Sequence, residues 1–424
     1  MRKLFSVAAL FLLIVPSAYS QTSYEDSIKN EMNKIELLNG SMKQTIDKYK
    51  KAVIKGDAES MALLGVECMN GKNVKSNITI GLNLLETAAL QDNVEGQYNL
   101  GYYFFVFWAQ KPDNASYFRT GTRWLKKAAG AGDQRALACL ARFYMEYGKY
   151  NKENSYVDGS IKLLEDMESV DKVDDKNTTV LDAQAMLGTA NLYKWHTDND
   201  TAALREAKKW YRTLLTSKLE YPAYNTYIDS LKYVLSQGIS LRIDPMPDAE
   251  TIEKSRSGGG GFGGFGGGMG GFGGGGGFPG GGGGGFPGGG GGGFPGGGGF
   301  PGGGGNPQGG APGPQTIQAA FPGGMMSMQS FIRNNTNYPK DLEENRVRGN
   351  ATVSFTIAPD GSIMNPTVTR ESDVHLINQE ALRTIMIMPD WIPAEREGQP
   401  VDGHSQASVN FGGGGGGGMG GFGF

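Results

Sequence analysis

Between residues 257 and 313 the chain is almost entirely glycine, punctuated by Phe262, Phe265, Phe272, Phe278, Phe286, Phe294 and Phe300. Such a stretch cannot bury enough apolar surface to offset its ordering entropy. It therefore divides the chain, and the globular parts must form on either side of it. Random-coil scaling for Gly-rich chains predicts a flexible linker spanning about 40 Å on average. Phe-Pro-Gly recurs from Phe278 onward, and no Arg is interleaved. The tract thus lacks the pattern of Arg- and Gly-rich nucleic-acid segments and reads as a plain spacer with tolerated aromatics, the alternative being phenylalanines that act as weak stickers for a surface or polymer. It holds most of the 69 glycines; the rest of the 424 residues has ordinary globular composition. Those residues are sufficient for more than one core. The net charge of -3 comes from interspersed acids and bases. No nucleic-acid partner and no polybasic membrane patch is expected.

The first twenty residues read as an export signal. Arg2 and Lys3 precede an apolar run from Leu4 to Val15, Pro16 breaks it, and Ala18-Tyr19-Ser20 offers small residues for cleavage before Gln21. The run is about 12 residues, short of the roughly 20 that span a bilayer. A periplasmic protein is expected. The alternative is an uncleaved anchor in the inner membrane facing the periplasm, the one case in which a membrane is a partner. Cys68 and Cys139 are the two cysteines. They read as small buried hydrophobes on separate helices, although an exported chain could pair them.

Residues 21–55 form a helical lead segment, with Ile28, Met32, Ile35 and Leu38 on one stripe until Asn39-Gly40 breaks it. Residues 56–245 contain a repeat. Gly81 to Ala89 matches Gly121 to Ala129 at an offset of 40, and the same offset relates Gly96, Leu100 and Tyr103 to Ala136, Leu140 and Phe143. Weaker copies begin near Asp158 and Ala183. Paired helices with small residues at fixed places predict an α-solenoid. Gly65, Gly101, Ala141 and Gly188 would let helices approach closely. Residues 221–236 could cap the array, with Tyr224, Ile228, Leu231 and Val234 on one face. The pattern Gly56-Asp57-Ala58, Leu64-Gly65, then Leu85 to Ala89 resembles the SEL-one-like subclass of tetratricopeptide repeats. That resemblance implies a concave face holding a second protein partner.

A linker is assigned to residues 246–314, a globular module to 315–412 and a Gly-rich tail to 413–424. In the module, Met328, Phe331 and Ile332 suggest one short helix and Asp341 to Asn345 another. Ala351, Val353, Phe355 and Ile357 alternate with polar residues as in a half-buried strand. Pro359-Asp360-Gly361 is a hairpin turn signal. Pro366 in the following strand points to an edge or a bulge. Ala381, Leu382, Ile385 and Met388 have helical spacing, Pro389 ends that helix, and Ser405 to Phe411 alternates again. The order is strand, strand, helix, strand, a small α+β domain.

Tyr338-Pro339, Gly349 with Val353 and Phe355, Asp360-Gly361, Glu380-Ala381-Leu382, Trp391-Ile392-Pro393-Ala394, Gly398-Gln399-Pro400-Val401 and Val409-Asn410-Phe411 follow the order of the TonB carboxy-terminal family, which the module resembles. The resemblance implies that an extended peptide, such as the N-terminal peptide of an outer-membrane transporter, adds as a strand to an exposed edge. In this chain that edge corresponds to Ser405, Gln406, Ala407, Ser408, Val409, Asn410 and Phe411, with Asn335, Thr336 and Asn337 beside it. Val409 and Phe411, pointing inward, also read as core. Energy transducers of the family begin with a transmembrane helix and carry a Pro-rich charged spacer. This chain has a cleavable-looking start, helical repeats and glycine.

No enzyme is expected. His196, His375 and His404 share no metal-ligand spacing with Cys or with each other. No Gly-x-Ser-x-Gly elbow occurs, and no cofactor or metal is anticipated. The expected architecture is a multidomain chain: an all-α repeat solenoid, a disordered Gly-rich linker and a small TonB-like α+β domain. The expected role is a non-enzymatic envelope protein that binds one partner through the repeats and another by strand addition. An energy-coupling component of outer-membrane transport and a structural or secretion-assembly subunit are the alternatives.

Overall fold

The computed structural model describes residues 18–172, 176–217, 225–257 and 316–412, with side chains from residue 26. The apolar run from Leu4 to Val15, the Gly tract with its phenylalanines, Tyr224 and the tail all lie outside the described residues. The expected boundary at residue 20 falls within the first helix. No helix among the described residues is long and apolar enough to cross a membrane.

The chain opens with α1 (Ala18–Asn33) and α2 (Lys43–Ile54). Ile28, Met32 and Ile35 are buried as expected, but Leu38 is 61% exposed. The stripe fails there because α1 ends at Asn33. The chain then runs extended, with the Leu38 amide bonded to the Asn73 carbonyl.

Four helix pairs follow: α3 (Ala58–Asn70) with α4 (Ile78–Leu90), α5 (Val94–Gln110) with α6 (Ala115–Gly130), α7 (Gln134–Asn151) with α8 (Asn154–Glu165), and α9 (Thr178–Asp198) with α10 (Thr201–Thr216). Local chemistry explains the starts. Asp57, Asn93 and Asp133 each accept an amide proton from the residue three positions on, satisfying donors that have no intrahelical partner. Gly56 and Gly132 before two of these caps have φ of +87° and +92°, a region open to glycine.

Small residues set the spacing within pairs. A Cβ on Gly65 would stand 2.9 Å from Cγ of Leu85, and one on Gly101 would stand 2.6 Å from Cγ of Leu125. On Gly188 it would meet the Tyr211 ring at 2.6 Å. In all three pairs one large side chain of the second helix fills the space left by a missing one on the first, which is what makes them structural repeats.

Next come α11 (Asn225–Leu235), a strap through residues 239–246, and α12 (Ala249–Ser257). The C-terminal part contains β1 (Thr316–Ile317), α13 (Gly324–Asn335), α14 (Lys340–Glu344), β2 (Gly349–Ile357), β3 (Ile363–Arg370), α15 (His375–Met386), β4 (Ala394–Arg396), β5 (Gln399–Val401) and β6 (Gly403–Phe411). Two antiparallel three-stranded sheets form, ordered β1-β4-β5 and β3-β2-β6. The strand-strand-helix-strand order holds, and the three short strands of the first sheet add to it. Gly361, with φ +89°, makes the turn between β2 and β3.

The sequence predicts two bodies on a long tether, and the structure packs them together. Leu204, Tyr211 and Leu215 of α10 and Ile228, Leu231 and Val234 of α11 share one hydrophobic core with Phe355, Ile363, Ile385 and Trp391. The expected solvent cap is therefore the seam, with α11 packed on α15 and β3. The linker was expected from residue 246, yet 249–257 is helical. Asp248 caps α12 by accepting the Thr251 amide proton, and Arg256 pairs with Glu395 at 2.8 Å. Ser255 Oγ accepts the Gly323 amide proton at 2.8 Å. The two flanks of the glycine tract are thus held side by side on the same domain.

Candidate peptide-receiving edge and the domain seam

The sheet β3-β2-β6 has two edges, and they differ. On β3, pairing to β2 slips twice: between Ser354 and Thr356, and between Thr352 and Val353. The first slip coincides with Asn365 at φ +49° and with Pro366. Extra residues of this kind twist a strand away from further pairing. Helix α11 also lies against β3. Strand β6 is the opposite case. It pairs with β2 in one unbroken register from Gly349 with Phe411 to Ile357 with Gly403. Among the described residues, no strand pairs with its outer edge.

The side chains of β6 alternate. Ala407, Val409 and Phe411 are buried, Gln406, Ser408 and Asn410 are exposed, and Ser405 lies between. The first three belong to the core, so only their backbone groups could meet a ligand. The exposed face is hydroxyl-rich: Thr352 and Ser408 meet at 2.8 Å, and Ser354 and Thr369 at 3.1 Å. Cross-strand pairs of this kind support the sheet without supplying a hydrophobic patch.

The second predicted segment, Asn335 to Asn337, is half-buried where α13 ends. The Asn337 amide donates to Glu380 Oε1 at 2.6 Å. The Asn335 carbonyl accepts from the Arg383 guanidinium. The Tyr338 ring lies 6.0 Å from the Phe411 ring, so the segment reaches the C-terminal end of β6. The structure thus brings the two predicted groups together at that end, while Ser405 and Gln406 lie toward the other.

Glu380 stands out in the sequence only as part of the Glu380-Ala381-Leu382 motif, and nothing there pairs it with Arg383. The two side chains are 0% and 1% exposed and form a two-pronged ion pair, with Nε to Oε2 at 2.8 Å and Nη2 to Oε1 at 2.7 Å. Arg383 Nη1 also donates to the Leu215 carbonyl in the last turn of α10, where helix carbonyls lack partners.

A second buried network runs through the seam. Lys208 donates to Asp390 at 2.6 Å and to the Leu241 carbonyl at 2.7 Å. Burial pushes the Lys208 ammonium below its usual pKa, against the pull of Asp390. The second Asp390 oxygen accepts the amides of Ile243 and Asp244. Arg212 grips Asp244 with two bonds of 2.6 and 2.7 Å. Burial raises the Asp244 pKa, but Arg212 outweighs it and holds the carboxyl below the ordinary range. Arg242 donates to the carbonyls of Asp360 and Trp391, at 2.6 and 2.9 Å. The Asp-Gly turn and the Trp391 segment, read in the sequence as parts of a free-standing module, are here held by the repeat domain's strap. Lys208 had one legible sign: it interrupts the apolar stripe of Leu204, Tyr211 and Leu215.

The remaining expectations concern chemistry. Cys68 and Cys139 are both free. Burial pushes their thiols up to about 11 and about 12. His196, His375 and His404 stand on α9, α15 and β6, and His404 Nδ1 lies 3.3 Å from the Thr356 hydroxyl. Among the described residues, no group of three His, Cys, Asp or Glu could hold a metal ion.

No curated protein matches the chain, and no solved structure does. Residues 334–412, which carry α14, both long β-hairpin strands, α15 and β6, match the family model of the Gram-negative bacterial TonB protein C-terminal, a non-catalytic domain family of the cell envelope.

Proposed function

We propose that the protein is an exported, non-enzymatic cell-envelope protein that captures an extended peptide on the outer edge of β6. The observation that carries this reading is the contrast between the two sheet edges. Edge strands are normally blunted against unwanted pairing. Here β3 is bulged, contains Pro366 and lies against α11, while β6 keeps an unbroken register over nine residues. Backbone groups on such an edge give affinity, and the exposed Gln406, Ser408 and Asn410 would tune selectivity. The family match at residues 334–412 supports the N-terminal peptide of an outer-membrane transporter as ligand. The helix pairs would hold a second envelope protein. Because they share a core with the peptide-binding domain, the two partners would be held in fixed relative positions rather than at the ends of a tether.

Amide spectra of the full chain, recorded while transporter N-terminal peptides are added, test the edge. Shifts confined to Ser405 to Phe411 and Asn335 to Asn337 are expected. Shifts elsewhere with none in β6 would sink the reading. Mass spectrometry of the mature protein tests export: a chain beginning at Gln21 is expected, and an intact N-terminus would favour the anchored, energy-coupling alternative.

A further inference from the structure

We propose that Arg383 is a positioning residue that makes the peptide-receiving segment 335–337 dependent on the docking of the repeat domain. The geometry is a three-way junction. One buried guanidinium caps the C-terminal turn of α10 at the Leu215 carbonyl, holds the Asn335 carbonyl, and locks Glu380. Glu380 in turn accepts the Asn337 amide proton and, at 3.4 Å, lies within reach of the Thr384 hydroxyl. Both ends of the short segment are therefore fixed by one ion pair, and that ion pair is fixed by a helix of the other domain.

The cost of disrupting such a junction is asymmetric. A buried charge that loses one of its partners is strongly destabilised, because water cannot replace the missing bond. If α10 shifts, Arg383, 1% exposed in the docked state, loses its acceptor at the Leu215 carbonyl. It must then reorient, and the Asn335 carbonyl and Asn337 amide lose their fixed partners with it. A second partner that shifts α10 would act on the same path, so occupancy of the repeats would be felt at the edge. The step from segment 335–337 to peptide affinity rests on the strand-addition reading; the coupling between the domains does not.

Hydrogen exchange on the full chain tests the coupling without any ligand. Arg383→Met should speed exchange at residues 335–337 by roughly tenfold or more, the factor expected for losing one charge-assisted hydrogen bond. Arg383→Lys should recover part of that protection. Lys208→Ala and Arg242→Ala, which loosen the seam without touching Arg383, should speed exchange at 335–337 as well. The proposal is overturned if those two variants raise exchange at residues 241–244 and 388–391 while 335–337 keeps its wild-type rate. A transporter N-terminal peptide, titrated against the same variants, separates the two readings. No binding to the wild-type chain sinks strand addition and leaves the exchange result standing. Equal affinity for the wild type and Arg383→Met sinks the claim that segment 335–337 receives the peptide, while the exchange rates alone decide the coupling between the domains.

Discussion

The Lys208 ammonium and the Asp390 carboxylate meet at 2.6 Å across the domain seam, with side chains 3% and 1% exposed. The two residues lie on opposite sides of the glycine tract, so this pair reports directly on whether the domains are docked. Removing one member leaves the other charge buried without its partner, which costs about 3–5 kcal/mol. Lys208→Ala should therefore lower the urea midpoint strongly. Lys208→Met combined with Asp390→Asn should recover much of the loss, because no lone charge remains. If the single variants are as stable as the wild type, the seam does not form in solution.

Gly361 makes a sharper local prediction. Its φ is +89°, and a Cβ there would stand 2.0 Å from the Trp391 carbonyl oxygen and 2.3 Å from Arg242 Nη1. Gly361→Ala should cost at least about 2 kcal/mol, from backbone strain plus displacement of the strap. Gly398 is the control: its φ is +76°, but nothing lies within 4 Å of the added atom. Gly398→Ala should cost about 1 kcal/mol, the conformational part alone. Thermal unfolding of both variants measures the difference.

What the sequence disclosed follows from the range of the forces involved. The helix pairs were legible because a small residue answers a local demand for close approach once per pair, at Gly65, Gly101, Ala141 and Gly188. The β2–β3 hairpin was legible through the Asp360-Gly361 turn, and the inward set of β6 through its period of two. The seam was not legible. Asp390, Arg242 and Arg383 look like ordinary surface charges in sequence, Lys208 shows only as a break in an apolar stripe, and their partners across the seam lie more than a hundred residues away. Apolar face patterning shows that Ile228 and Leu231 are buried, but it does not show what buries them. α11 thus read as a solvent cap when it is an interface. For the edge itself, the strand was readable, while the clamp on Asn335 and Asn337 was hidden in a long-range ion pair.

Acid should weaken the seam through Asp244. Arg212 holds its carboxyl below the ordinary range in the folded chain, so the folded state favours the charged form more than the unfolded state does. For a depressed carboxyl, the stabilisation is complete above the unfolded value of about 3.9 and is lost as pH falls through the folded value. Asp57, Asp133 and Asp248 are depressed too, and their contributions cancel when wild type and Asp244→Asn are compared. The stability gap between those two chains should be constant from pH 7 to about pH 5 and should close below pH 4. Urea unfolding at each pH checks this. A gap that keeps its full pH 7 size down to pH 2 would mean that the Asp244 charge contributes nothing.

The glycine tract should be dispensable for docking. Ser255 and Gly323 are hydrogen-bonded at 2.8 Å, and Arg256 pairs with Glu395, so the tract leaves and rejoins the same domain next to itself. A tether between separable bodies sets their effective concentration, and cutting its length changes how often they meet. A loop closed on neighbouring anchors changes only its own closure entropy. Loop-closure entropy alone predicts that shortening residues 258–315 about sixfold should stabilise the fold by roughly 1.5 kcal/mol. Docking should persist, because the Lys208–Asp390 and Arg242 contacts do not involve the tract. A shortened chain whose two domains unfold in separate transitions would instead make the tract the element that holds them together. A single, slightly higher transition would leave that task to the seam.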